Sequence, residues 1–516
     1  MSVFLSPGVY TREVDLSLFA PALSSTILGL VGVFTSGPIN TPTFISDLDG
    51  FINTFGKPKA GTFGALAAIQ YLRYGRQLQV VRVGASSSLA FATVNINDVN
   101  PIPAPRITVN GLYKGSSYNG WQAIISNASG STFTLAVVDP SGIQREIYNG
   151  LTIVSSDPNY FVTRINNISS YITVADLNSS GTYLPATGTF TLINGNDGVT
   201  GLVASDITGT AGSGNGLDAF SNQETISINM LAAPDYTLLA ASQWQGVIND
   251  MLSLCSGRGD AIAIIDPPPG ATAQQVVSWH NGIGVTIGTN VFPSGASFNS
   301  SYGALYWPWV EIFDPFNNVN VFVPPSGFVA ATYANNDFLA DPWFAPAGTN
   351  RGHLIEALAI ERSPSQGDRD FIYSGGNAVN PIVNFIPEGI TIYGQRTLQR
   401  TPTALDRVNV RRMLLYARKL IAIVARSIVF EPNDPKMWRS FTRLANNILD
   451  GIKAARGITD FKVIMDATTN TPDLISQNIA KAKLLIIPTQ AAEIIEVDFT
   501  VLAAGTNFEE IVGSNG

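Results

Sequence analysis

The sequence holds a single cysteine, Cys255, and only two histidines, His280 and His353, in 516 residues. A lone cysteine closes no internal disulfide, so stability has to come from packing, which suits synthesis in a reducing compartment. Cys255 ends the apolar stretch Met251–Cys255 and reads as a buried thiol. Two histidines leave little material for a nucleophilic triad or a His-rich metal site. Charge is scarce as well: Asp, Glu, Lys and Arg make up 13% of the chain, against the ~25% of an ordinary soluble domain. Long hydrophobic runs are missing. Ile27–Phe34 falls far short of the ~20 residues a spanning helix needs, so no membrane insertion is expected. Met1–Leu5 lacks the basic region and apolar core of an export signal. Phosphate-loop, nucleophile-elbow and His-Glu-x-x-His motifs are all absent. No cofactor and no catalytic residue is therefore expected.

Apolarity, by contrast, is plentiful: 45% of residues are hydrophobic. Without a membrane helix, this implies large cores or a surface that partners cover. The net charge is −8, yet 19 of the 30 basic residues lie from Arg351 onward. Between Arg407 and Arg456, 11 basic residues face three acidic ones, a segment of +8 in an acidic protein. Such asymmetry points to an acidic partner for that region. Nucleic acid fits poorly, because few aromatics interleave with the basic residues and the chain as a whole is acidic.

Residues 1–20 read as an arm: Pro7-Gly8 breaks the chain, and Val9, Tyr10, Thr11, Arg12, Glu13 and Val14 are strand-like. Residues 21–94 and 222–375 read as one discontinuous α/β core. Its strand candidates include Ile27–Phe34, Gln79–Val83, Ser227–Leu231, Ala261–Ile265 and Tyr306–Ile312, and its helix candidates Phe63–Tyr74, Gln243–Cys255 and Ala273–Gly282. Residues 95–221 have short alternating runs parted by Asn-Gly and Asp-Gly turns, the pattern of an inserted all-β domain. The Gly-rich tract Gly209–Gly216 reads as its return linker.

Residues 376–490 read as a separate C-terminal α+β domain. A helix is predicted over about Asp406–Phe430, with Val410, Leu414, Ala417, Ile421, Val424 and Ile428 on its core face. Arg407, Arg411, Arg412, Arg418, Lys419 and Arg426 fall about 130° round. A second basic helix spans about Pro435–Arg456, and two strands follow at Phe461–Met465 and Lys483–Ile487. Residues 491–516 are a tail in which Ile495, Val497, Phe499 and Val501 alternate with Glu496, Asp498 and Thr500, a one-sided strand with little left behind it to pair with. The expected architecture is thus α/β and α+β multidomain, with a β insertion and extended arms at both ends.

Polar motifs outside this frame read as structural. Asp260–Asp266 places an acid at a strand end, Asn194–Gly198 makes a tight turn without a full calcium-ligand set, and Glu509-Glu510 are solvated. Trp307, Trp309 and Trp343 leave open a competing reading, a sugar cleft in a carbohydrate-acting hydrolase.

An ordered series of segments resembles the contractile (myovirus-type) phage tail sheath family: Ser6–Val14, Ile27–Val33 with Gly37-Pro38 and Phe55-Gly56, Val323–Gly327, Asp341–Gly348, Val379–Ile382, Gly389–Thr397, Val408–Arg412 and Phe430–Asn433. The insertion at 95–221 matches nothing in that pattern. The resemblance implies a homo-oligomer of stacked rings around a tail tube protein, bounded by baseplate and tail terminator proteins. It also implies a place in the virion after assembly in the host cytoplasm, and contraction that drives the tube through the host envelope for genome ejection. The same architecture serves phage-derived bacteriocins and injection systems.

Within that frame the two internal strands make only a hairpin, which is marginal alone. Phe461, Val463, Met465, Leu484 and Ile486 are the expected acceptor positions. Segments 9–14 and 495–502 of other copies would complete a four-stranded sheet by strand addition. Arg407, Arg411, Arg412, Arg418, Lys419 and Arg426 are the expected tube-facing cations.

Overall fold

The computed structural model describes residues 26–178 and 181–497. An eight-stranded sheet organises the main body. Its strands are β1 (Ile27–Gly32), β2 (Thr43–Ile45), β3 (Gln77–Arg82), β4 (Met230–Ala232), β5 (Ile262–Ile265), β6 (Gly303–Trp307), β7 (Val379–Phe385) and β8 (Gly389–Ile392), in the order β2-β3-β1-β4-β5-β6-β7-β8. The six inner strands run parallel and the two edge strands antiparallel.

Parallel strands are covered on both faces, so they read as continuous apolar runs, not as alternating ones. Leu28, Leu30, Val80, Ile262 and Ile264 point to one face, against helices α1 (Gly64–Leu72) and α3 (Ser326–Leu339). Val31, Val81, Leu231, Ala263 and Ile265 point to the other, against α2 (Trp244–Arg258).

The β-rich insertion builds a three-stranded and a four-stranded sheet around its own core of Ile107, Val109, Ile125, Phe133, Leu135 and Phe161. Its expected end at residue 221 is too late. Ile207, Leu217 and Phe220 are buried in the core of the main sheet. The glycine tract is likewise a compact turn and not a linker: a Cβ on Gly209, whose φ is +75°, would sit 2.0 Å from the Asn215 carbonyl oxygen.

Two further expectations change. The predicted strand Tyr306–Ile312 is two strands, β6 and Val310–Asp314, parted at Pro308, which has no N–H to donate to a ladder. The C-terminal unit begins after residue 376, because β7 and β8 belong to the main sheet and Leu398 fills the main core. That unit holds α4 (Val408–Ser427), α5 (Pro435–Ala454) and a hairpin of β9 (Ile458–Ile464) and β10 (Lys483–Pro488). Asp434 caps α5 by accepting from the N–H groups of Lys436 and Met437, and Pro435 follows at the first helical position.

Candidate functional site

The hairpin register pairs Phe461 with Ile486 and Val463 with Leu484. These four side chains lie on its inner face against Leu449, Ile452 and Ile458, while Met465 is buried beside Met437, Trp438 and Phe441. Four of the five predicted acceptor positions therefore share the inner face, and Met465, just past the end of β9, packs into the neighbouring cluster. Among the described residues the sheet contains only these two strands, so each strand keeps one unpaired edge, the geometry that accepts an added strand.

The chain leaves β10 at Pro488 and is caught again at Glu493. One carboxylate oxygen of Glu493 accepts from Arg407 Nε at 2.7 Å, Gln395 Nε2 at 3.0 Å and the Tyr373 hydroxyl at 3.1 Å. Burial, and after it the nearby Glu493 carboxylate, pushes the Tyr373 hydroxyl up to about 12. Past this clasp, Ile495 is 81% and Val497 62% exposed, and residues 491–497 form no strand. Phe499 and Val501 lie outside the described residues, as do Val9, Tyr10, Thr11, Arg12, Glu13 and Val14.

The six predicted tube-facing cations do not act as one set. Arg411 and Arg412 are each 4% exposed. Arg412 pairs with buried Asp337 at 2.6 Å and lies 4.5 Å from the centre of the Tyr333 ring. Arg411 bonds the Ser301 hydroxyl and lies 4.2 Å from the centre of the Tyr302 ring. Together with Asn409, whose amide donates to the Trp343 carbonyl at 3.1 Å, they dock the N-terminal half of α4 onto the main body. These two arginines are therefore corrected from partner contacts to internal ones.

Lys419 is half-buried and donates to the Ser227 hydroxyl at 2.5 Å, and burial lowers its pKa. Arg407 is held by Asp406 and Glu493. Only Arg418 and Arg426 of the six stand exposed, Arg426 at 3.7 Å from Glu224. Helix α5 adds exposed Lys436, Arg439, Arg443 and Lys453.

The tryptophans of the competing hydrolase reading are buried. Their indole N–H groups donate to main-chain carbonyls: Trp307 to Ala271 at 3.0 Å, Trp309 to Pro267 at 2.8 Å and Trp343 to Ala455 at 2.8 Å. Asp260 pairs with Arg258, and Asp266 accepts from the Ser326 N–H at the start of α3. Burial raises Asp266 to about 7 and Asp235 to about 6, the latter against the opposing pull of main-chain N–H groups from Phe63, Val33 and Gly64. Asp197 of the Asn194–Gly198 turn holds Lys59 and Ser116 and so ties the insertion to the main body.

Comparison with known proteins follows the same division. Residues 209–398 match the phage tail sheath protein central domain, and residues 400–501 match the phage tail sheath C-terminal domain. The tail sheath protein of Vibrio phage KVP40 is 28% identical over 312 residues, 58% of this chain and 45% of that protein. The chain thus spans about half the length of that relative. The tail sheath protein of Burkholderia phage BcepMu is 23% identical over 495 residues, 93% of this chain and 92% of that protein. Among solved structures, the sheath of an extracellular contractile injection system (PVC) in its contracted state shares the fold, with a TM-score of 0.56 at 15% identity over 99% of this chain and 100% of that one.

Proposed function

Because the chain belongs to the phage tail sheath family, we propose that it is the repeating subunit of a contractile tail sheath, which polymerises around a tail tube and shortens to drive it through a host envelope. One observation carries the reading. A two-stranded hairpin whose edges are both open among the described residues sits in the same molecule as a C-terminal segment whose apolar Ile495 and Val497 are bare. Each half is unsatisfied alone, and strand addition between copies satisfies both. Such a joint is held by main-chain hydrogen bonds, so it persists while the linking segment bends.

The tube-facing surface is drawn from Arg418, Arg426 and the exposed cations of α5. Single exposed pairs contribute about 0–1 kcal/mol, so they guide assembly by number and release without a large barrier. The ends of the polymer meet baseplate and tail terminator proteins, and the assembled sheath is part of the virion. Contraction in this reading uses energy stored at assembly.

Negative-stain microscopy of the purified protein tests the proposal. Rings or tubes of uniform width are expected at high concentration. A chain that stays monomeric at every concentration, with and without tubes of its partner, refutes it.

A further inference from the structure

The strand order of the main sheet places a topological switch point between β1 and β4. The chain leaves β1 for β3 on one side, over the face that α1 covers, and leaves β4 for β5 on the other side, over the face that α2 covers. Where two crossovers part in this way, a crevice opens beyond the carboxyl ends of the strands, and doubly wound sheets hold their ligands there. The helix that follows β1 turns its free N–H groups into that crevice, an arrangement that favours an anion.

In this chain the crevice is filled from within. Asp235, three residues past the end of β4, is fully buried, and its carboxylate meets the opening turn of α1. Oδ2 accepts from the Val33 N–H, directly after β1, at 2.8 Å, and Oδ1 from the Phe63 N–H at 2.7 Å. The Gly64 N–H lies 3.2 Å from both oxygens. Glycine makes the fit possible on two sides. A Cβ on Gly32, the last residue of β1, would sit 2.9 Å from Oδ2, and one on Gly64, the first residue of α1, 2.7 Å from it. Neither glycine has a left-handed φ, so each supplies close approach of the main chain and not a turn. Burial raises the carboxyl to about 6, and the pull the other way comes from main-chain N–H groups, with no Lys, Arg or His among the causes. At about pH 8 the group is therefore an anion held by peptide groups.

We infer that the switch-point crevice is an anion site with a built-in occupant: the Asp235 carboxylate takes the place of a ligand's anionic group, and the core accepts no such ligand there while that side chain is present. A nucleotide thus has no seat at the position where an α/β core would offer one, which agrees with a contraction that draws on energy stored at assembly. Strand exchange between copies plays no part in this.

Full-length Asp235→Gly protein tests this at about pH 8. The substitution removes Cβ together with the carboxylate and so leaves room for formate, the probe. Chloride at equal ionic strength is the control, and scanning fluorimetry the readout. Asp235→Gly is expected to melt below the wild type, and formate to restore part of the loss saturably. At roughly tenfold excess over its Kd, formate raises the folded-to-unfolded ratio of this variant about tenfold. The wild type, whose site is occupied, and Asp235→Asn, whose amide still fills the space, are expected to respond to formate no more than to chloride. Should the glycine variant not fold in buffer, the same comparison is made on its yield of soluble, folded protein after refolding in formate or in chloride. A folded glycine variant that formate stabilises no more than chloride does overturns the assignment. So does an unfolded one that formate fails to rescue, or a wild type that gains as much from formate as the variant.

Discussion

Arg412 is the sharpest place to separate an internal joint from a partner surface. Its guanidinium pairs with Asp337 at 2.6 Å, both side chains being at most 4% exposed, and it stacks over Tyr333. Truncation to alanine leaves Asp337 as an uncompensated buried charge, a loss of about 3–5 kcal/mol. At ~2–4 °C per kcal/mol for a unit of 150–250 residues, the apparent thermal midpoint of the affected unit falls by roughly 6–20 °C. Arg426→Ala is the control: that side chain is 60% exposed and 3.7 Å from its partner, so the midpoint stays essentially in place. The double variant Arg412→Leu/Asp337→Leu removes both charges and keeps apolar volume, so it recovers more than half of the loss. Scanning fluorimetry of the four proteins reads all of this. Should Arg412→Ala be as mild as Arg426→Ala, or the double variant as damaging as Arg412→Ala, the docking argument for α4 is wrong.

Glu493→Ala removes the acceptor shared by Tyr373, Gln395 and Arg407; hydrogen exchange is expected to speed up across residues 489–497 while β9 keeps its protection. Asp266 and Asp235 titrate at about 7 and 6 when folded, above the ordinary 3.8. The folded state therefore holds these protons to higher pH than the unfolded chain, and their contribution to stability is full below about pH 4 and is lost as pH rises towards 7. Asp266→Asn is expected to flatten the decline of the thermal midpoint between pH 4 and 7, measured in a buffer series. Charge reversal at Arg418 and Arg426 together is expected to leave folding unchanged by circular dichroism and to weaken assembly around tubes, with a steeper loss at low salt.

Periodicity made some features legible before any coordinates. The expected acceptor positions Phe461, Val463, Leu484 and Ile486 fall on one face of the hairpin, and the second basic helix, expected from about Pro435, begins at Pro435. These are local signals, carried within a few residues of the feature. The fate of Arg411 and Arg412 was not local. On the helix Arg411 shares a side with Arg418 and Arg412 with Lys419, yet their partners Ser301, Tyr302, Tyr333 and Asp337 lie far back in the chain. A helical wheel sees the charge and not the pocket. The assignment of Val379–Ile392 failed for a related reason: two short apolar strands look alike whether they start a new unit or finish an old sheet, and only pairing with β6 decides. The clasp at Glu493 had no sequence signal, since Tyr373, Gln395 and Arg407 converge from three separate elements.

The most direct measurement of the central claim is sedimentation velocity on residues 26–493, which keep the clasp and both hairpin strands but lack the two end segments. The account predicts a folded monomer at every concentration, with the full-length circular dichroism spectrum, beside full-length protein that sediments as a large polymer. Polymers from the shortened chain, as long and as abundant as those of the full chain, contradict it.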